Sequence, residues 1–146
     1  MAPHCSQERG GFYGVSYRNA EGYSDPVPYA AARKMDQENR KYRPLVYICS
    51  PFQGDEDGNV AKARRFCRFA VNQGAIPLAP HLLFPQFMEE RSERELALFM
   101  GMVLLGHCSE VWVFGERISS GMEAEIARAE KKQMRIRYFT EDMREV

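Results

Sequence analysis

Apolar and polar residues follow a regular order from Pro44 onward. Four short apolar runs have the length of buried strands, and the stretches between them repeat apolar residues at helical spacing. The predicted strands are residues 45–49, 75–79, 110–115 and 134–139. The predicted helices lie within residues 59–74, 92–105 and 119–133, with Asn59 as the cap of the first and a capping box from Ser92 in the second. A loop carrying His81 follows the second strand. This alternation predicts an α/β protein with a parallel sheet covered on both faces.

Residues 1–43 do not share this pattern. They are rich in Gly, Ser, Tyr, Arg and Glu and contain no β-branched run that could form a core strand. The first two dozen residues are typical of a flexible arm. The run Tyr29–Tyr42, which follows Asp25 and Pro26, favours a solvent-facing helix. We therefore predict an N-terminal arm with a short helix over residues 1–43 and one α/β domain over residues 44–146.

Charge and hydropathy exclude some function classes. Twenty Lys and Arg balance twenty Asp and Glu, so the chain has no net field to hold a nucleic acid polymer. The most apolar stretch, Leu96–Leu105, is half as long as a bilayer-spanning helix, and the N-terminus lacks the pattern of a secretory signal. We expect a cytoplasmic protein that binds neither nucleic acid polymers nor membranes.

The cysteines do not indicate a metal centre. Cys5, Cys49, Cys67 and Cys108 are widely spaced, with no Cys-x-x-Cys pair and no His at ligand spacing. We expect them to be buried or incidental thiols, and we expect no metal and no cofactor.

Ligands of open parallel sheets bind beyond the carboxyl ends of the strands, so the loops at those ends are candidates for chemistry. The loop from Ser50 to Asn59 contains Gly54 and precedes a helix, but it matches neither the Walker nor the Gly-x-Gly-x-x-Gly pattern. Its three acidic residues, Asp55 to Asp57, would repel an anion placed over them. An ordinary surface turn and a phosphate-binding loop are both compatible with this sequence.

The loop from Gly115 to Gly121 is more informative. Ser119 and Ser120 can cap the next helix, and Ser120-x-x-Glu123 has the spacing of a capping box. Glu125 lies in the second turn, where it has no capping role. A helical wheel places it about 70° from the buried stripe, as far out as Glu130 on the opposite flank. Spacing alone leaves open whether Glu125 is a functional carboxylate or part of a solvated helix face.

Three segments together carry a resemblance to a known family. They are VYICSPFQG at residues 46–54, VWVFG at residues 111–115 and SSGMEAE at residues 119–125. In this order they resemble the nucleoside 2-deoxyribosyltransferase superfamily, most closely a phage-associated bacterial branch of it. They are also similar to the deoxynucleoside 5'-monophosphate N-glycosidases. The resemblance covers residues 45–139.

The resemblance implies a nucleophilic role for Glu125. Its carboxylate would attack the anomeric carbon of a deoxyribosyl group, and water or another base would then resolve the glycosyl ester. Ser119 and the Gly121 N–H would hold the 5' group or a 5'-phosphate. The implied pocket for substrate consists of Tyr47, Ser50, Phe52, Gln53, Gly54, Asn59, His81, Ser119, Ser120, Gly121 and Met122.

Some residues of this pocket have two interpretations. His81 is either a general acid for the departing base or a structural histidine. Phe52, Phe84 and Phe87 either stack on the base or belong to the core. The sequence also departs from the family: Gly101 and Ser109 stand where family enzymes carry acids, and Gln53 stands where the monophosphate hydrolases have an Arg.

The sequence as a whole predicts a flavodoxin/Rossmann-like three-layer sandwich with a four- to five-stranded parallel sheet. We expect it to bind a nucleoside or nucleotide and to act as an N-glycosidase or 2-deoxyribosyltransferase through Glu125. The alternatives are a non-catalytic module that senses or sequesters a nucleotide, and an interaction protein that serves assembly. The apolar stretch Leu96–Leu105 and the resemblance both predict a homodimer or a higher homo-oligomer.

Overall fold

The structure is a computed structural model that describes residue 18 and residues 21–24, 26–39 and 42–146. These residues fall in two compact units, Met1–Tyr42 and Arg43–Val146. The first unit contains helix α1 (Pro26–Asn39). This helix begins and ends three residues earlier than the predicted run, because Pro26 has the backbone angle that a first helical turn needs. Most of the predicted flexible arm lies outside the described residues.

The second unit is a three-layer α/β structure. Its elements are β1 (Leu45–Cys49), α2 (Glu56–Asn72), β2 (Ile76–Leu78), α3 (Pro80–Leu83), a 3-10 helix (Phe84–Gln86), α4 (Glu90–Gly106), β3 (Glu110–Phe114), α5 (Ser120–Lys131) and β4 (Arg135–Phe139). The four strands are all parallel and lie in the order β2-β1-β3-β4. The predicted flavodoxin/Rossmann-like α/β fold is confirmed, with four strands in the sheet.

Side chains that alternate along the central strands supply two separate cores. Val46, Ile48 and Phe114 point to one face and pack with Phe66 of α2, whose ring lies 4.3 Å from that of Phe114. Tyr47, Cys49, Val111 and Val113 point to the other face, where they pack with α4 and α5. Replacing a buried aromatic ring such as Phe66 by Ala costs about 3–5 kcal/mol, so each face contributes substantially to stability.

The strands match their predicted positions more closely than the helix ends do. Pro77 lies in β2, an edge strand, as a proline that cannot donate to a neighbouring strand should. The predicted cap of α2 is wrong: Asp55 is the cap, and its side chain accepts from the Gly58 N–H at 3.1 Å. Asn59 lies inside the first turn of that helix.

Two other helix starts also differ from the prediction. The capping box predicted at Ser92 is wrong, because α4 starts at Glu90 and the Glu93 carboxylate accepts from the Glu89 N–H. The box predicted at Ser120 is wrong as well, because Ser119 is the cap of α5 and accepts from the Met122 N–H at 3.3 Å. The segment around His81, predicted as a loop, folds into α3 and the 3-10 helix.

Helix α4 presents an apolar face to solvent. In the single chain Leu96, Phe99 and Val103 are exposed, and Phe99 by 65%, so the apolar stretch that predicts a homo-oligomer lies partly on the surface. Within the described ranges, no helix combines the length and the apolar character needed to span a bilayer.

Candidate functional site

A cavity opens at the carboxyl ends of β1 and β3. The chain leaves β1 toward β2 on one side of the sheet and returns to β3 on the other, so the loops after β1 and β3 diverge there. Such a switch of direction is where open α/β sheets bind ligands. The cavity contains about 900 Å³ of empty space, counted to its open mouth, and its walls come from the β1–α2 loop, the α3 region, α4 and the start of α5.

Glu125 of α5 lies in the wall of this cavity. The cap at Ser119 fixes the start of the helix, and the second turn then places the Glu125 side chain against β1, where only 5% of it is exposed. The Tyr47 hydroxyl donates to Glu125 Oε1 at 2.8 Å. Gly101 of α4 lies beside this hydroxyl, and a Cβ there would be in ordinary van der Waals contact with it at 3.5 Å. One carboxylate oxygen is therefore fixed by β1.

Two polar atoms in the cavity wall lack partners. Glu125 Oε2 and Ser50 Oγ are buried and form no hydrogen bond within the described part of the chain. Both residues line the cavity, and Ser50 is only 2% exposed. An unsatisfied buried polar group costs about 1–3 kcal/mol, and such a cost in a native fold calls for an explanation such as a bound ligand or water. Both atoms are therefore candidates to hydrogen-bond a ligand or a water molecule at this wall of the cavity.

Burial controls protonation around Glu125. It raises the pKa of the Glu125 carboxyl, while the neighbouring Cys49 thiol and the Tyr47 hydroxyl act in the opposite direction. Burial also raises the pKa of Tyr47 and of Cys49, and the nearby Glu125 raises both further. Tyr47 and Cys49 therefore keep their protons at neutral pH, and Glu125 is the group of the three that ionises first.

His81 and Phe52 form a second wall. Their rings are stacked, with centroids 5.1 Å apart and planes 8° from parallel. Burial lowers the pKa of His81, and a hydrogen bond from its ring to the Ser50 backbone opposes this shift. The imidazole is therefore neutral at neutral pH and holds the end of β1 through Ser50. This arrangement favours the structural interpretation of His81 over the general acid.

Most of the residues implied by the resemblance come together. Those that line the cavity are Tyr47, Ser50, Phe52, Gln53, His81, Ser119, Ser120, Gly121, Met122 and Glu125. Gly54 is not among the lining residues; it occupies the turn after β1 with a φ of 99°. Asn59 faces an adjacent, more polar cleft, and its amide donates to the Phe52 and Gln53 carbonyls at 3.0 and 3.1 Å. Asn59 therefore holds the loop that carries the pocket residues.

The structure separates the two positions that lack the expected acids. Gly101 lines the cavity. Ser109 lies just before β3, at the amino ends of the strands, where its N–H donates to the Leu45 carbonyl at 2.7 Å. The cavity and Glu125 lie at the opposite ends of the strands, the carboxyl ends. An acid at position 109 would therefore be remote from Glu125.

Apart from Gly101, the residues of one cavity wall were not predicted from the sequence. Glu90, Arg94, Ala97, Leu98 and Gly101 project from α4 into the cavity. They recur at helical spacing, which was the available signal. This spacing could not be recognised because the same helix is apolar on its other faces and because its predicted start, residue 92, is two residues after the observed start. The cavity is also lined by Phe84, one of the rings predicted either to stack on the base or to belong to the core, and by four residues that were not predicted: Pro80, Pro85, Met88 and Glu89.

Comparisons with known proteins agree with this architecture. The model of a family described as a domain of unknown function (DUF7768) matches residues 44–139. No curated protein shows a significant match. A solved structure of a 2-deoxyribosyltransferase from the bacterium Bacillus psychrosaccharolyticus superposes with a TM-score of 0.52 and 17% identity, over 66% of this chain and 72% of that chain. This likeness shows a distant relationship in fold. The chain belongs to the DUF7768 family.

Proposed function

We propose that residues 44–146 bind a nucleoside or nucleotide and cleave or transfer its N-glycosidic bond, with Glu125 as the nucleophile. The observation that carries the proposal is the state of the Glu125 carboxyl. Tyr47 holds Oε1 at 2.8 Å, and Oε2 is buried in the cavity wall without a partner. The fold shared with a 2-deoxyribosyltransferase supports the same chemistry.

The two carboxylate oxygens have different tasks in this reaction. Oε2 attacks the anomeric carbon while the bond from that carbon to the base nitrogen breaks and its electron pair leaves with the base. Tyr47 keeps Oε1 in place throughout. Water, or the nitrogen of a second base, then attacks the same carbon. The ester bond breaks, Glu125 regains its charge, and the proton of the attacking group passes to solvent.

The start of α5 orients the substrate. Its first turns present backbone N–H groups, and Ser119, Ser120 and Gly121 line the cavity beside them. These groups suit the 5' end of the sugar. The apolar residues of α4 and the Phe52 ring suit the base, because a nucleobase is flat and largely apolar on its faces.

The test is base release by the purified protein. We expect at least one member of a panel of ribonucleosides, 2'-deoxynucleosides and their 5'-monophosphates to lose its base, as seen by chromatography. Glu125→Gln should abolish release, whereas Glu130→Gln should not, since Glu130 is the equivalent exposed position on the other flank of α5. Equal release by wild type and Glu125→Gln would refute the assignment of the nucleophile.

Gly101 favours a second candidate, a binding module without catalysis. It leaves the space beside Tyr47 without a carboxyl group, so Glu125 has no neighbouring acid there to protonate a departing base. In this case Glu125 would accept a hydrogen bond from a sugar hydroxyl. Nucleosides would then raise the melting temperature without any release of base, and Glu125→Gln would weaken that effect.

A further inference from the structure

One face of α4 runs along the whole cavity. Gly101 marks the inner end, because it lies beside the Tyr47 hydroxyl that holds Glu125. Arg94 is seven residues and about 10 Å nearer the start of the helix, and Glu90 is a further turn away. Ala97 and Leu98 lie between these ends. The wall therefore changes from small and apolar near Glu125 to charged at its outer end.

The outer end carries a defined set of polar groups. The Glu90 carboxyl lies within hydrogen-bonding reach of the Glu56 carboxyl and the Gln53 amide, and Arg94 is close enough to act on its charge. Slight burial and the Glu56 carboxyl raise the pKa of Glu90, while Arg94 and Gln53 act in the opposite direction. Glu89, which also lines the cavity, already accepts from the Ser92 hydroxyl at 3.0 Å. Glu90 and Arg94 thus place an acceptor and a donor at the same end of the cavity.

The proposed function fixes which part of a ligand reaches this end. If the anomeric carbon lies at Glu125 and the 5' group at the start of α5, the base extends along α4. Its flat face then lies against Ala97 and Leu98, and its polar edge meets Arg94 and Glu90. The buried, unpartnered atoms of Glu125 and Ser50 in the same cavity support the presence of a ligand.

We propose that Glu90 and Arg94 select a 6-oxopurine base, with guanine preferred. This inference rests on the proposed function, which places the sugar at Glu125. An ionised carboxylate is an acceptor with two oxygens, and guanine offers it two adjacent donors, N1–H and the 2-amino group. The Arg94 guanidinium then donates to O6 or N7, the pairing that Arg most often makes with guanine.

The other common bases fit this pair of side chains less well. Adenine and cytosine each present a single amino group beside a ring nitrogen that accepts, so one carboxylate oxygen would face an acceptor. Thymine presents one N–H between two carbonyl oxygens, with the same result. Hypoxanthine keeps O6 and N1–H but lacks the 2-amino group. The expected order of preference is therefore guanine, hypoxanthine, then adenine and the pyrimidines.

Two measurements on matched variants test this selection. Base release is followed with 2'-deoxyguanosine, 2'-deoxyinosine, 2'-deoxyadenosine and thymidine, and the affinity for each is measured by calorimetry on Glu125→Gln, in which turnover is blocked. Glu90→Gln and Arg94→Gln remove the two groups. Glu95→Gln is the control, because it lies on the same helix, loses the same charge as Glu90→Gln and does not line the cavity.

We expect deoxyguanosine to be favoured over deoxyadenosine about ten- to hundredfold in kcat/KM or in affinity. Glu90→Gln should remove most of that preference by weakening deoxyguanosine alone, and Glu95→Gln should preserve it. A wild type that treats all bases alike, or a Glu90→Gln that weakens every nucleoside equally, would overturn the proposal.

The design separates this inference from the proposed function. Release of base without preference for guanine would support the function and overturn the selection. Selective binding of deoxyguanosine without release would support the selection and overturn catalysis. If no nucleoside binds, both fail together.

Discussion

Tyr47→Phe isolates one hydrogen bond in the candidate site. The substitution keeps the ring, which is buried and packs in the core formed by β1, β3, α4 and α5. It removes only the hydroxyl that donates to Glu125 Oε1 at 2.8 Å. The variant leaves the Glu125 carboxylate with the Cys49 thiol, a weak donor, as its neighbouring polar group.

The expected cost depends on the charge of Glu125. A hydrogen bond to an ionised group contributes about 1.5–3 kcal/mol to stability, and one between neutral groups about 0.5–1.5 kcal/mol. Above the raised pKa of Glu125 the free energy of unfolding should therefore fall by the larger amount, and the melting temperature by roughly 5–10 °C. Below that pKa the carboxyl is neutral, so the loss should be the smaller one.

The assay is urea unfolding of wild type and Tyr47→Phe at about pH 8 and about pH 4.5, with stability extrapolated to water. Glu125→Gln and the double variant complete a mutant cycle, which measures the coupling between the two side chains. Tyr138→Phe on β4 is the control for loss of a phenol hydroxyl, and as a half-exposed surface change it should cost under about 0.5 kcal/mol.

Three results would refute this reasoning. The first is a loss in Tyr47→Phe no larger than that in Tyr138→Phe. The second is a loss that does not grow between the acidic and the alkaline condition. The third is a coupling energy of zero in the cycle, since the hydroxyl would then act on something other than Glu125.

The remaining predictions concern charge, assembly and the chain ends. Burial raises the pKa of Glu125, so this group stabilises the native state at low pH, and that stabilisation is lost as pH rises through its native pKa. At about pH 8, Glu125→Gln should therefore unfold at a higher temperature and a higher urea concentration than wild type. The difference should vanish in acid. Release of base should fall as pH decreases through the same pKa, measured as a kcat profile, because only the carboxylate attacks. Sedimentation should show a species larger than 16.8 kDa at micromolar concentration, and Phe99→Glu on the exposed face of α4 should return it to a monomer. A chain of residues 44–146 should keep cooperative unfolding in calorimetry, and loss of the transition would contradict the predicted domain boundary.

The sequence determined the sheet. The run 45–49 is apolar throughout and the run 110–114 is apolar except for Glu110, and such runs are stable only when both faces are covered, which requires helices on each side. Pro77 favours an edge or a strand end because proline cannot donate to a second neighbour, and it lies in the edge strand β2. These features follow from backbone chemistry and residue type, so they could be predicted locally.

The helix starts were less predictable. Asp55 and Asn59 are both good caps, as are Ser119 and Ser120, and the sequence offers no way to choose between neighbours of equal propensity. The choice depends on where the preceding strand ends and on which backbone N–H groups the side chain reaches. The Asn59 amide instead donates to two carbonyls of the β1–α2 loop.

The tertiary structure decided which acidic residues belong to the site. Glu125 and Glu130 lie equally far from the buried stripe of α5. Glu125 is buried because it lies on the side of the helix that faces Tyr47 of β1, whereas Glu130 lies on the other side and is exposed. Glu90 and Arg94 reach the cavity because α4 crosses its length, and Ser109 is excluded because it lies just before β3, at the amino ends of the strands. The sequence by itself determined the elements, since propensity and periodicity act within a few residues. Only the packing of distant segments determined the site, because burial and hydrogen bonding at Glu125 depend on a residue 78 positions away in the chain.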